Sequence, residues 1–352
     1  MNKALFLLFL VPAFNQISFS QNTYVPDNVF ESTLISLGFD TGPLDDSVPT
    51  QNLTGVTSLD FSWSQVSDLT GIEDCINLLS LDCFLAVYIT DLDVSNNTSL
   101  TYLSCVAAQI TSLDVTNNTA LEFLDCTDTQ ITSLDVSQNV NLESLACVDV
   151  DISSLDVSQN PLLTSLQCAG NQITNLDLSN NVNLTELYCS NNLITGLDLS
   201  IHPNLEMIKC SSNNLSYLKV NNGNNLNVPN FGFNASNNPN LLCVVVDSVE
   251  WSDLNWNFID PQTNFNDTCY YLAVDENTVQ IEAFPNPVSD VFNVLLDQQA
   301  YFTLYTSSGK LVKDGLLFHG KNTILVNELD SGVYFLIVQT KSSKSVLKVL
   351  VK

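Results

Sequence analysis

Six cysteines, Cys105, Cys126, Cys147, Cys168, Cys189 and Cys210, recur at intervals of 21 residues. Each occupies the same frame, Leu-x-x-Leu-x-Cys-x-x-x-x-Ile/Leu, written out in Leu163-Thr-Ser-Leu166-Gln-Cys168-Ala-Gly-Asn171-Gln-Ile173. A fixed period of this length predicts a solenoid, in which every repeat buries its apolar face only against its neighbours. Leu-x-x-Leu-x-Cys alternates with period two, so it predicts a short strand of a parallel sheet with Leu and Cys inward. A second segment, Leu-Asp-Val/Leu-Ser at 134–137, 155–158 and 176–179 and a variant at 113–116, is followed by an Asn-rich turn. The period leaves too little chain for an α-helix there, and an extended or 3₁₀-like convex side is expected. Asn171, Asn192 and Asn213, three residues after their cysteines, are placed to bond backbone at the bend. Earlier repeats carry Ala108, Thr129 and Val150 at that position.

Upstream, Leu78-x-x-Leu81-x-Cys83 is the same frame with one extra residue, and Val56, Leu59, Phe61, Val66 and Leu69 form a first repeat. Before it, Pro26-Asp27-Asn28 precedes Val29, Phe30, Leu34 and Leu37 at helical spacing, and Gly38 follows. That is one amphipathic helix with an Asp cap and a Gly stop, placed to cover the open end of the solenoid. Downstream the period breaks. Phe233-Asn-Ala235-Ser-Asn-Asn238-Pro239 is assigned as a last Leu-Asp-Val-Ser-type unit, and Leu241, Val244 and Val246 as the next inward positions.

Charge is unevenly placed. Residues 22–269 carry 30 Asp and Glu against Lys209 and Lys219, and the chain has no arginine. A body this acidic repels phosphate backbones and anionic lipid surfaces, which argues against nucleic acid as a partner. Lys3 followed by an apolar run from Ala4 to Val11, with Ser18 and Ser20 before Gln21, predicts a cleaved export signal over residues 1–20. No transmembrane segment is expected in the mature chain.

The repeat frame resembles the leucine-rich repeats of bacterial, internalin-like surface proteins with a cysteine ladder. The resemblance spans 53–246. It implies a right-handed solenoid that binds a protein or glycan through its concave sheet. From Phe284-Pro285-Asn286-Pro287, through Gly332 and Tyr334, to Lys348 and Lys352 at the end, the chain is similar to the C-terminal sorting domain of the type IX secretion system of Bacteroidetes. Strands at 333–338 and 346–351 predict a small antiparallel β-sandwich there. This resemblance implies contact with the secretion machinery, passage across the outer membrane, and release or retention at the cell surface. The expected architecture is a signal peptide (1–20), an N-terminal cap with a short helix (21–52), the solenoid (53–246), a C-terminal cap (247–269), a linker (270–283) and the sorting domain (284–352).

Cys243 has left the cysteine column and Cys269 lies in the cap-like stretch, so a Cys243–Cys269 disulfide is expected. Cys83 and the six regular cysteines are read as buried core thiols, as is Cys75, with no metal and no cofactor. Asp93, Asp114, Asp135, Asp156, Asp177 and Asp198 form a second column; hydrogen bonds in the turns or weak calcium binding would relieve their repulsion. The outward strand positions Tyr102, Phe123, Asp125, Gln167, Glu186, Tyr188, Met207 and Lys209 are the expected ligand surface. The two histidines, His202 and His319, stand in no catalytic motif. The reading is a secreted or cell-surface binding or adhesion module without enzymatic activity. The alternatives are a secreted hydrolase, a hydrolase-assisting subunit, or a passive surface-coat component.

Overall fold

The computed structural model describes residues 21–269, 283–296, 299–339 and 344–352; the export signal and nearly all of the expected linker lie outside them. The chain divides into two compact units, residues 1–269 and 270–352.

The first unit is a solenoid. Three-residue strands stack in parallel in the order of the chain, Ser58–Asp60, Ser80–Asp82, Tyr102–Ser104, Phe123–Asp125, Ser144–Ala146, Ser165–Gln167, Glu186–Tyr188 and Met207–Lys209, and Phe233–Asn234 closes the sheet. The register is strict: Leu81, Leu103, Leu124, Leu145, Leu166, Leu187 and Ile208 are successive partners. Strands are this short because Cys and the next inward Ile must both reach one core within a single coil. The central leucines and all eight cysteines outside the disulfide are buried in one continuous core. Burying a leucine contributes about 1.5–3 kcal/mol, and repetition makes that gain cumulative along the stack.

On the opposite side the coils are extended turns, as expected, until Gly196–Asp198, Tyr217–Lys219, Cys243–Val245 and Asn264–Asn266 pair into a second, shorter parallel sheet. This register corrects the assignment of the last units. Phe233 pairs with Ile208 and Asn234 with Lys209, so Phe233-Asn-Ala235 is the last Leu-x-Cys unit of the long sheet. Val244 pairs with Leu218, which puts Leu241–Val246 on the other side. An insertion around Asn225–Asn227 and Asn230–Gly232 displaced the period and hid this equivalence.

Two asparagine columns stitch the coils together. At the bend after the long sheet, Asn171 donates to Cys147 O at 2.8 Å and accepts from Ile152 N at 3.0 Å; Asn192 and Asn213 repeat the pattern. Asn238 extends it, a fourth member hidden by the same misassignment. The second column, Asn97, Asn118, Asn139, Asn160 and Asn181, is fully buried. Each of its amides donates to two carbonyls of the preceding coil, for example Asn139 to Val115 O and Asn118 O, both at 2.9 Å. His202 takes the next place, with Nε2 3.1 Å from Leu178 O.

At the N-terminal end the helix Asn28–Leu37 is capped by Asp27, whose carboxylate accepts from Val29 N and Phe30 N, and Gly38 ends it at φ +83. Phe30 and Leu34 are buried, but Leu37 is exposed; Glu31 is the buried residue beside them. Its carboxylate accepts from Asp45 N and Asp46 N, a polar anchor that helical periodicity in apolar residues does not reveal. At the other end Cys243 and Cys269 are joined as a disulfide. Trp256 is buried there, stacked on Phe233 with centroids 4.1 Å apart, and it donates from Nε1 to Val228 O.

The second unit is a two-sheet antiparallel β structure. One sheet holds Ala283–Phe284, Val291–Leu296 and Gly320–Leu325; the other holds Ala300–Thr306, Leu311–Leu317, Gly332–Gln339 and Lys344–Val351. Phe292, Leu304, Leu336 and Val349 are buried in their common core.

Candidate functional site: the long sheet of the solenoid

Because side chains alternate across a strand, the first and third residues of each triplet share the outer face. The parallel register lines them up in two columns. One reads Ser58, Ser80, Tyr102, Phe123, Ser144, Ser165, Glu186 and Met207; the other reads Asp60, Asp82, Ser104, Asp125, Ala146, Gln167, Tyr188 and Lys209. The inward residue between them is nearly constant while these outer residues are not. All eight anticipated ligand-surface residues stand in the two columns, and all are half-buried.

Tyr102 and Phe123 stack with ring centroids 4.5 Å apart and planes 6° from parallel. Burial, and then the carboxylates of Asp82, Asp125 and Asp60, push the Tyr102 phenol up. Burial and the neighbouring Glu186 do the same for Tyr188. Ser165 donates to Glu186 at 3.2 Å. Lys209 donates to Phe231 O, and its partial burial lowers its pKa.

After each strand the coil passes through a left-handed residue: Trp63, Leu85, Ala107, Asp128, Asp149, Gly170, Asn191, Ser212 and Asn237 all have positive φ. The N–H of each of the first eight donates to the next coil, as Trp63 N does to Phe84 O at 2.9 Å and Asp128 N to Val148 O at 2.8 Å. This column has no residue-type signature, so sequence reading missed it; inter-coil bonding imposes the strained backbone.

The column of aspartates on the opposite side is tied into turns. Oδ1 of Asp93, Asp114, Asp135, Asp156 and Asp177 accepts the N–H two residues on at 2.9 Å. Hydrogen bonds from that Ser or Thr, side chain and backbone, hold these carboxyls below the usual range. Asp198 is different: it accepts from Ser200, from Tyr217 OH at 2.9 Å and from Lys219 Nζ at 3.1 Å. Burial opposes its ionisation, yet these bonds outweigh it and hold the carboxyl at about 2. Asp198 and Tyr217, with Asn175, Asp177 and Gly196, line an open depression of about 600 Å³. The shorter sheet brings this cluster together; of its residues only Asp177, Asp198 and Lys219 were singled out in the sequence. Among the described residues no group of three or more His, Cys, Asp or Glu side chains is gathered to hold a metal ion.

The buried thiols, the ladder's seven and Cys75, are inert by position. Burial pushes Cys75, Cys105, Cys168 and Cys210 up to about 12, and raises Cys83, Cys126, Cys147 and Cys189 as well. In the second unit Asn286 donates to Lys348 O at 2.6 Å and accepts from Leu350 N at 2.8 Å, pinning the first motif to the last strand. The Phe284–Pro285 and Asn286–Pro287 bonds are cis. Buried Tyr334 donates to Asp330 O, whereas Lys348 and Lys352 are exposed and Gly332 is half-buried.

Residues 282–352 match the family described as the secretion system C-terminal sorting domain, which marks the chain for export across the outer membrane. No curated protein sequence matched the chain. Among solved structures, internalin C2 of Listeria monocytogenes is 25% identical with a TM-score of 0.52, covering 65% of this chain and 99% of that one. The domain of InlJ from the same organism, whose description includes a cysteine ladder, is 19% identical with a TM-score of 0.47 over 95% of this chain and 99% of that one. A leucine-rich repeat protein of Leptospira interrogans is 16% identical with a TM-score of 0.41, covering 62% of each chain. The solenoid is thus an internalin-like leucine-rich repeat fold, and the chain carries a secretion tail.

Proposed function

We propose that the solenoid is a recognition or adhesion module working outside the outer membrane, that it binds a protein or glycan through the outer face of its long sheet, and that it performs no catalysis. The observation carrying this reading is the contrast within each triplet: a nearly constant inward residue flanked by outer residues that differ from coil to coil. Scaffold requirements explain the former and leave the latter open to a ligand. The likeness to internalin C2 supports it. In this reading the tail at 284–352 engages the type IX secretion machinery, and residues 1–20 and 270–283 serve as export signal and linker.

Glycan and extracellular-protein arrays probed with the full chain test the proposal. Specific capture that weakens on Tyr188→Ala or Phe123→Ala is expected. Capture unaffected by changes in both outer columns would refute the choice of face; silence on both arrays would favour a passive coat.

A further inference from the structure

The outer face is not uniform along the stack. Its rings concentrate in the first coils, with the Tyr102–Phe123 stack and Trp63 against Phe84 edge-to-face at 5.7 Å, and beyond Phe123 the two columns hold a single ring, Tyr188. Phe84 continues the outward alternation of Ser80 and Asp82, with Cys83 buried between. Farther along, the places corresponding to Phe84 hold Thr127, Val148, Ala169 and Ser190, and those after Phe123 hold Ser144 and Ser165. Trp63 is 74% exposed, and its left-handed place in the coil is filled elsewhere by Ala107, Gly170 or Ser212. The fold therefore does not require a tryptophan there.

Acidic residues run through the same coils. Asp82 and Asp125 flank Ser104 in register, and Ser104 is a buried floor beside Tyr102. One oxygen of each aspartate accepts a backbone N–H, from Phe84 at 2.9 Å and from Thr127 at 3.0 Å. No lysine or arginine of the solenoid answers these charges. The two lysines of residues 22–269 lie at 209 and 219; one is bonded to Phe231 O and the other to Asp198.

We infer that the first coils of this sheet form a docking surface for a basic segment of a partner protein. A Lys or Arg side chain would lie over the Tyr102–Phe123 stack with its charged head between Asp82 and Asp125. This rests on the outer face being the recognition surface. Charge complementarity selects the occupant: an anionic glycan or lipid would be repelled, and a neutral glycan would offer hydroxyl donors to the carboxylates but no countercharge. A cation over an aromatic face gains most when both are partly desolvated, as the half-buried rings allow.

The test titrates the purified full chain, at physiological salt, with a fluorescent 12-residue peptide of alternating Arg and Ser, its Glu and Ser counterpart, and neutral cellohexaose. Binding of the basic peptide alone is expected. Tyr102→Ala, and separately the pair Asp82→Asn with Asp125→Asn, should each weaken it about tenfold. The control pair Asp135→Asn with Asp156→Asn removes the same charge from the opposite side and should change it less than about twofold, because exposed charges a Debye length away are screened. Equal loss in both pairs would mean attraction by the whole acidic body and would overturn the inference. So would cellohexaose binding that needs the rings when the basic peptide fails to bind. An array ligand sensitive to Tyr188 and Met207 but not to Tyr102 would remove this docking surface while leaving the recognition face standing; no ligand sensitive to either column would remove both. Melting temperatures matching the parent's establish that the variants are folded.

Discussion

Asn139→Ala isolates what the buried asparagine column contributes. Asn139 is fully buried, and its amide gives one hydrogen bond to each of two carbonyls of the previous coil. Neither carbonyl is orphaned by the change: Val115 O keeps the bond from Asn118 N, and Asn118 O keeps the bond from Leu121 N. The cost is therefore that of two net bonds and not of two stranded acceptors, about 2 kcal/mol in total. Equilibrium urea unfolding followed by circular dichroism should show the midpoint falling by about 0.7 M at an m-value of about 3 kcal/mol/M. Asn141, two residues on, makes one exposed bond to Thr119 O at 3.0 Å, and Asn141→Ala should cost under about 0.5 kcal/mol. Asn139→Leu restores volume without donors and should not recover the loss. Asn139→Asp faces a carboxylate toward two carbonyls and should be the worst of the series. Full rescue by leucine would mean that a cavity, not hydrogen bonding, sets the cost. Parity of Asn139→Ala with Asn141→Ala would refute the reasoning altogether.

Other expectations share these assays. Reducing the Cys243–Cys269 bond, or Cys243→Ser, should lower stability by about 3.5 kcal/mol from loop closure over a separation of 26 residues, read as a melting shift under reductant. His202→Asn restores the column's donor geometry next to Leu178 O and should raise the urea midpoint; a lower midpoint would show that the imidazole is better fitted there. The Asp198 carboxyl titrates at about 2 when folded, below its usual value of 3.8. Its stabilisation is thus complete above pH 4 and is lost as pH falls toward 2, so the melting-temperature gap between parent and Asp198→Asn should close over that window. Deleting 284–352 should leave the solenoid in the periplasm, judged by surface labelling of intact cells.

Period and residue type made the repeat core legible: a leucine or cysteine every 21 residues has one economical packing, and its inward face needs no tertiary information. The same logic failed where chain was inserted. Between Ile208 and Phe233 the spacing lengthens, so Phe233-Asn-Ala235 resembled the turn unit more than the strand it forms, and Asn238 was lost with it. Glu31 was missed because a buried carboxylate that caps loop amides leaves no trace in apolar periodicity. The outward positions followed from the two-residue alternation alone, and the strand register then aligned them into columns. Their clustering of rings and carboxylates in the first coils depends on which residues become neighbours, a property of the stack and not of any one repeat.

The column of buried thiols has a further consequence. From Cys83 to Cys210 the seven sulfurs of this column lie in successive coils of one continuous core, each shielded by its own coil and its neighbours. A stack that frays from an end therefore uncovers them in order of position, each becoming reactive only when its own coil opens. The protein carries along its axis a graduated gauge of its own unravelling, on which the most recently alkylated cysteine marks how far the opening has advanced.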